Sequence, residues 1–535
     1  MPMLRIPCRR RRTIGATGAL HRGLVPHRII TRPGGRRRPR GLTIVLAALA
    51  MLAGLGPAHA DEHPPVQMAS EVSQHGITWR FEREHQVGQF VNGDWWVVGP
   101  VTIVEVDPAP GPAPEDEVND LGTNRWGSTG MQDNTELRNG SMIIPRAGGG
   151  QGYDSRGRSY RSELTVRFPY ELDADRSLIS TISHTTMPNR VMHHELMWPS
   201  EQRDQRVLRT AAVITALAEP PPADAFRPTY ADTDKRLFRL ADVQWDRLPR
   251  LPAPENTPSW TQYERYFERP WLDHINGSWL GQWLLPTENQ PAYYREWSRI
   301  TGIASLMLML DVPREQKQPL LIGLVQYAID ARGVADIGGQ WIDQGSGRKW
   351  PILMAGVLLD DPYFADLPES TVFKEDVHTY YGQGWAGQTA LYQLVQHHGP
   401  RQPYEHLPPD QWAEHDGGWG RTAESYRLCC TIKGWVGTAL AARLMGGKRA
   451  WDHDAFFDNV GRWMNPDDPY ADNRGEHPRP ETETTSFDDF VDTMWHAYRA
   501  EAPEEPRGER HRKWSHVDGE FQWIPNERPT EADGG

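Results

Sequence analysis

Between residues 77 and 106 apolar and polar positions alternate. Ile77-Thr78-Trp79-Arg80-Phe81 begins the pattern, Asn92-Gly93 interrupts it, and Asp94-Trp95-Trp96-Val97-Val98 and Val101-Thr102-Ile103-Val104 resume it. Alternation places successive side chains on opposite faces of a strand, and Asn-Gly suits a type I′ hairpin, so this stretch predicts a β-meander. Further β-type runs at 160–168, 177–183 and 206–217 are separated by Gly- and Pro-rich turns. Together they predict an antiparallel β-sandwich-like domain over residues 61–247, with loops at 107–135 and 145–158.

Residues 248–258 are Pro-rich and read as a linker, because after them the apolar period lengthens to that of a helix. Behind Pro291, Tyr293, Trp297, Ile300, Ala304 and Met307 share one helix face; Leu321, Leu324 and Ala328 form the next stripe. Residues 351–359, 385–395 and 435–444 continue the series, the last ending at Gly446-Gly447. Asp452 then caps a helix carrying Phe456, Val460 and Trp463, and Ser486-x-x-Asp489 opens a final one through Tyr498. Paired helices without a fixed-period repeat favour an incomplete α/α toroid over residues 259–501 against a repeat solenoid. Residues 502–535, charged and rich in Pro, read as a mobile tail. The predicted fold class is therefore α+β and multidomain.

Residues 42–56 form an uncharged apolar run that follows an Arg-rich stretch and leads into Ala58-His59-Ala60. This is the layout of a secretory signal peptide cleaved before Asp61, with residues 1–60 as signal and basic leader. The run is too short for a membrane anchor, so stable membrane insertion is not expected. Arg36-Arg37-Arg38 leaves open a twin-arginine address or a start residue placed too early. The expected location is periplasmic or extracellular.

Cleavage removes about 12 arginines and no acidic residue, taking the net charge from −13 to about −25. Such an acidic surface excludes nucleic acid as the natural partner, because phosphate binding needs a basic face. An acidic polymer would have to find its cations gathered locally in a cleft. Of the three cysteines Cys8 lies in the leader, so a disulfide framework is ruled out. Cys429 and Cys430 are adjacent and read as two buried thiols at a helix start, with a vicinal disulfide as the alternative. The 22 tryptophans serve two purposes, filling cores and, in Gly-, Asn- and Gln-bearing loops, offering flat faces to sugar rings.

Four segments of the helical half concentrate polar and aromatic side chains. His274-Ile275-Asn276-Gly277-Ser278-Trp279 leads to Trp283; Asn276 there is either a helix cap or a ligand, and Trp279 and Trp283, four apart, share a face as core stripe or sugar platform. A Gly-rich loop carrying Trp341 ends in Arg348-Lys349, two cations suited to a carboxylate at its mouth or simply solvated. Glu375-Asp376-Val377-His378-Thr379-Tyr380-Tyr381, followed by Trp385 and Gln388, is the densest cluster. Glu424, Tyr426, Arg427 and Lys433 add cations and a phenol, or pack a helix entry.

Taken in order, Asn276-x-x-Trp279, Arg348 and Asp376-x-His378-x-x-Tyr381-x-x-x-Trp385 resemble the toroidal polysaccharide lyases of the chondroitin, hyaluronate and alginate lyase type. The resemblance covers about 250 residues, and the chain departs from several such lyases in placing its β-rich domain first. It implies β-elimination on a uronic-acid-containing polysaccharide. Asn276, helped by Arg348 or His378, would neutralise the uronate carboxylate; Tyr381 or His378 would take the C5 proton, and tyrosine would return one to the leaving oxygen. His274, Trp279, Trp283, Trp341, Lys349, Tyr380, Trp385, Gln388, Tyr426 and Arg427 would line the substrate. The chemistry requires screening of the carboxylate charge, a base within about 3 Å of the proton, and a cation to bring tyrosine down from about 10.

Two rivals remain. A glycoside hydrolase on the same barrel would use carboxylates among Asp343, Glu375, Asp376, Glu414 and Asp416. A non-catalytic glycan-binding protein would use the tryptophans alone. No cofactor is expected, and a structural divalent cation stays open. His193-His194-Glu195 and His397-His398 lack the spacing of a His-Glu-x-x-His zinc helix.

Overall fold

The strand Leu208–Leu217 (β8, following β1 Gln67–Gln74, β2 Ile77–Gln89, β3 Trp95–Val98, β4 Val101–Asp107, β5 Ser141–Met142, β6 Tyr170–Leu172 and β7 Arg176–Ser183) explains how the N-terminal half is built. Nearly all its residues are buried, because alternate side chains serve two different cores. Ala212 and Ile214 join Ile77, Trp79, Val87, Val97 and Ile103 in one cluster, while Ala211 and Val213 face a cluster made chiefly of helix residues. Leu178 and Ile179 of β7 divide in the same way. These assignments come from a computed structural model describing residues 66–112, 137–145, 150–157, 159–185, 206–275, 284–291, 294–338, 346–396, 399–465, 485–508 and 511–529.

All eight strands belong to one sheet, in the order β5-β7-β8-β3-β2-β4-β6 with β1 beside β2. Pairings are antiparallel except β3 with β8, which run parallel from Trp95–Ile214 to Val98–Leu217. The expected sandwich is thus a single curled sheet, one face of which carries the first cluster. Trp79 is wholly buried there, its indole Nε1 donating to Ser180 Oγ at 2.9 Å. The run at 160–168 forms no strand but a 3-10 turn at Ser162–Leu164, and the neighbouring strand is Tyr170–Leu172.

The helical half consists of α1 Trp260–Phe267, α2 Tyr294–Leu308, α3 Arg314–Asp336, α4 Lys349–Leu359, α5 Lys374–Val377, α6 Trp419–Tyr426, α7 Ile432–Leu444, α8 Lys448–Trp451, α9 Asp454–Trp463 and α10 Asp489–Tyr498. The predicted stripes point inward: Trp297, Ile300, Ala304 and Met307 are fully buried, as are Leu321 and Ala328. Gly302 allows α2 and α7 to approach closely, since a Cβ there would lie 2.7 Å from the Thr438 backbone nitrogen. Asp488 caps α10 by accepting from the Phe490 amide. Tyr293 lies outside the described residues.

Residues 385–395 are not helical. Gly382, Gly384 and Gly387 break the chain into a loop, and β9 Thr379–Tyr381 pairs with β10 Ala390–Tyr392. Short strands β11 Val395–Gln396 and β12 Gly399–Pro400 follow. An apolar run this short carries no decisive period, and its length suits a strand as well as a helix. Nor does the Pro-rich segment hang free: Leu248 and Leu251 are buried, and Leu251 exchanges backbone hydrogen bonds with Met309 and Asp311. Residues 502–535, predicted to be a mobile tail, contain a hairpin, β13 Arg512–Val517 and β14 Glu520–Pro525, turning on Asp518-Gly519 with φ of 53° and 92°. Asp-Gly between alternating aromatic positions is a type I′ signal.

The described residues, all within 66–529, form one compact unit. Arg227 ties the sheet side to the helices, donating from Nε to Asp94 at 2.5 Å and from Nη1 and Nη2 to Asp330 of α3 at 2.9 and 2.5 Å. All three side chains are buried. Among the described residues no helix is long and apolar enough to cross a membrane.

Candidate functional site

The turn Ser346-Gly347-Arg348, which leads into α4, gathers the polar groups of the helical interior. Gly347 has φ +86°, and a Cβ on it would stand 2.4 Å from the Ser298 nitrogen, so only glycine fits between the turn and α2. Its amide donates to Glu375 Oε1 at 2.7 Å. Trp435 Nε1 donates to Ser346 Oγ at 3.0 Å, and the Trp435 ring lies 6.2 Å from that of His378. Glu375 and His378 are three residues apart on one turn, hence on one face of α5 and its C-terminal cap.

His378 is fully buried, its ring stacked on Tyr392 at 5.2 Å and on Tyr426 at 6.2 Å. Nδ1 lies 2.6 Å from the Gln393 carbonyl, which can only accept, and 3.4 Å from the Val395 amide; the shorter contact places the proton on Nδ1 and the basic lone pair on Nε2. Nε2 has no hydrogen-bond partner among the described residues. Burial, reinforced by the Lys374 charge, holds the imidazole well below its ordinary 6.5, so it is neutral at physiological pH.

Glu375 complements it. Burial pushes its carboxyl up to about 7, against the Gly347 amide, which favours the ionised form. Oε2 has no partner among the described residues, and neither does the hydroxyl of buried Tyr327 on α3. The raised Glu375 carboxyl sets a direction for stability. Its folded pKa exceeds the unfolded 4.5, so its contribution is full below 4.5 and is lost as pH rises through about 7. Glu375→Gln is therefore expected to flatten the fall in thermal midpoint between pH 4.5 and 7, a difference of at most about 3 kcal/mol. An unchanged slope in pH-resolved thermal melts would contradict this environment.

The other predicted residues are placed differently from expectation. Arg348 and Lys349 do not stand at an open loop mouth; both are buried and already paired with protein carboxylates. Arg348 makes a fork of 2.7 Å bonds to Asp273 with its guanidinium 4.1 Å from the centre of the Trp297 ring, and Lys349 donates to Asp376 at 2.5 Å. Burial lifts Asp273 to about 6 in spite of Arg348. The second Asp376 oxygen accepts from Trp451 Nε1 at 2.9 Å. His274 is buried with Nε2 3.1 Å from the Tyr153 hydroxyl and is lowered to about 3 by burial.

Tyr381 and His378 do not converge. The Tyr381 hydroxyl donates to Asp458 of α9 at 2.8 Å, and its backbone exchanges 2.7 Å bonds with the Asn526 side chain beyond β14. Burial first and then Asp458 push this phenol upward, the reverse of what a base needs. Tyr380 packs under Lys513, whose Nζ stands 4.1 Å from the ring centre. Arg427 donates to Glu405 at 2.8 Å and to Asn459 at 3.3 Å. Gln388 closes the β9–β10 loop by accepting from Ala386, and Trp385 is the one predicted platform in the described residues that is exposed, at 43%.

Asn276, Trp279, Trp283, Trp341 and Asp343 lie outside the described residues, as do His193-His194-Glu195 and His397-His398. Glu414 and Asp416, also considered as hydrolase carboxylates, fall at the start of the 3-10 turn His415–Gly418. Among the described residues no group of three His, Cys, Asp or Glu side chains is arranged to hold a metal. The sequence singles out neither Tyr327 nor Asp273: Tyr327 looks like one more aromatic in a helix stripe, and Asp273 is marked only by preceding His274.

No protein-family model, curated protein or solved structure matches the chain.

Proposed function

We propose that the chain is an exported polysaccharide lyase that cleaves a uronic-acid-containing polymer by β-elimination, on an incomplete α/α toroid. The observation that carries this reading is the His378 ring: neutral and buried, its Nδ1–H held by Gln393, with Nε2 lacking a hydrogen-bond partner among the described residues. His378, in place of Tyr381, is the base. Nε2 takes the C5 proton, a C4=C5 double bond forms, and the C4–O bond breaks. Glu375, which keeps its proton up to about 7, supplies one to the leaving oxygen. Asn276 and Arg348 remain the groups assigned to the uronate carboxylate. For Arg348 this means sharing its guanidinium with Asp273, which already accepts two 2.7 Å bonds from it.

A second reading is favoured by Glu375 itself. A buried carboxyl raised to about 7 with one oxygen unpartnered among the described residues suits the general acid of a glycoside hydrolase. One assay separates the two on alginate, glucuronan, chondroitin and pectin. The lyase reading expects the ultraviolet absorbance of an unsaturated uronide to rise on at least one polymer. New reducing ends without absorbance would transfer the assignment to hydrolysis, and binding without either would rule out both.

A further inference from the structure

Residues Arg427–Thr431 form a π-helical turn between α6 and α7, closed by the Ile432 amide donating to the Arg427 carbonyl five residues back. Within it Cys429 and Cys430 are joined as a disulfide, which replaces the pair of buried thiols expected from the sequence. The two features are physically linked. Adjacent side chains on a regular α-helix diverge by about 100°, so their sulfurs cannot meet unless the backbone leaves the α register. The widened turn is where it leaves, and Thr431 at its end has φ −132° and ψ −80°, outside helical values.

The turn is connected to the centre described above. Tyr426, immediately before it, stacks on His378. Arg427, its first residue, donates to Glu405, which also accepts from Arg462 and from the Tyr392 amide at 2.5 Å each. On the other side Arg295 of α2 donates to the Cys429 carbonyl at 2.5 Å. Cys429 is exposed while Cys430 is buried, so a reductant can reach one sulfur without unfolding the helix.

We propose that Cys429–Cys430 is a reversible thiol–disulfide exchange site for a small dithiol, whose closed form holds Arg427–Thr431 in the π register and sets Tyr426 and Arg427 against His378 and Glu405. In the exchange the dithiol thiolate attacks the exposed Cys429 sulfur and the S–S bond breaks. Its second thiol then displaces Cys429 from the mixed disulfide. Two electrons and two protons pass to the protein, leaving two thiols and a cyclic disulfide product. Without the bridge the segment relaxes toward the α register, which brings its amides into i→i−4 bonds. This inference does not depend on the lyase reading, and its test uses no substrate.

Trypsin cuts after Arg427 and Lys433, so both cysteines fall in the fragment 428–433. With free thiols blocked and no reductant, that fragment from the full chain is expected unalkylated and lighter by two hydrogens than its reduced form. Two alkyl groups without reductant would overturn the proposal. On the intact chain, hydrogen exchange across 427–433 is expected to slow about fivefold on adding dithiothreitol, equivalent to one net hydrogen bond, and to recover on reoxidation. The double variant Cys429→Ser, Cys430→Ser is expected to match the reduced protein in either condition. Unchanged or faster exchange in the wild-type chain on reduction would overturn the proposal even if that variant fails to fold.

Discussion

His378→Gln is expected to lower turnover on the responsive polymer by about 10²–10⁴-fold, the usual range for removing a positioned base, while leaving the near-ultraviolet circular dichroism intact. Glutamine keeps an amide that can donate to the Gln393 carbonyl and preserves most of the stack between Tyr392 and Tyr426. It cannot accept the C5 proton. The pH profile adds a second readout. A base held well below 6.5 stays competent into mildly acidic solution, whereas an acid near 7 is lost above it. Activity should therefore decline on the alkaline side, and Glu375→Gln should abolish that limb along with most of the rate. A variant with wild-type turnover would remove His378 from the chemistry.

Arg227→Ala should cost about 3–5 kcal/mol, read as a lower denaturation midpoint. The size follows from what is left behind: Asp94 and Asp330, both buried, would face each other's side of the empty site without their shared cation. Asp330 is already raised by burial despite Arg227, so the variant should regain part of the loss in acid, as carboxylates there take up protons. Replacing Arg227 by lysine should recover little, since one ammonium cannot reproduce the three donations to Asp94 and Asp330. A change within about 0.5 kcal/mol, the range of ordinary surface substitutions, would show that this network does not join the sheet to α3.

The α2 and α3 stripes were legible because their period is long and regular, and burial of Trp297, Ile300 and Met307 follows directly from it. The antiparallel pair β7–β8 was legible as strands, yet its partition between two cores was not: a fully apolar strand has no alternation to show which face meets what. For that reason the pattern predicts a sandwich where the chain forms one curled sheet. The 385–395 stretch failed for a related reason, as a short apolar run carries no period of its own and its glycines govern. At the site, the sequence brought His378 and Arg348 forward by density of polar residues. It could not reveal that Arg348 faces Asp273, 75 positions away, or that Tyr381 turns to Asp458. Ion pairs distant in sequence leave no local trace, and in an acidic chain every cation has many potential partners. Adjacency of Cys429 and Cys430 admits either a bridge or two free thiols, and the π turn that accommodates the bridge has no sequence signature.

The most direct measurement is a crystal structure of His378→Gln with an oligosaccharide of the responsive uronic acid polymer. The account predicts a sugar ring with C5 within about 3–4 Å of the residue 378 side chain and the scissile oxygen on the Glu375 side, with the carboxylate toward Arg348. An oligosaccharide bound along the exposed Trp385 surface, leaving 375 and 378 enclosed and untouched, would contradict it.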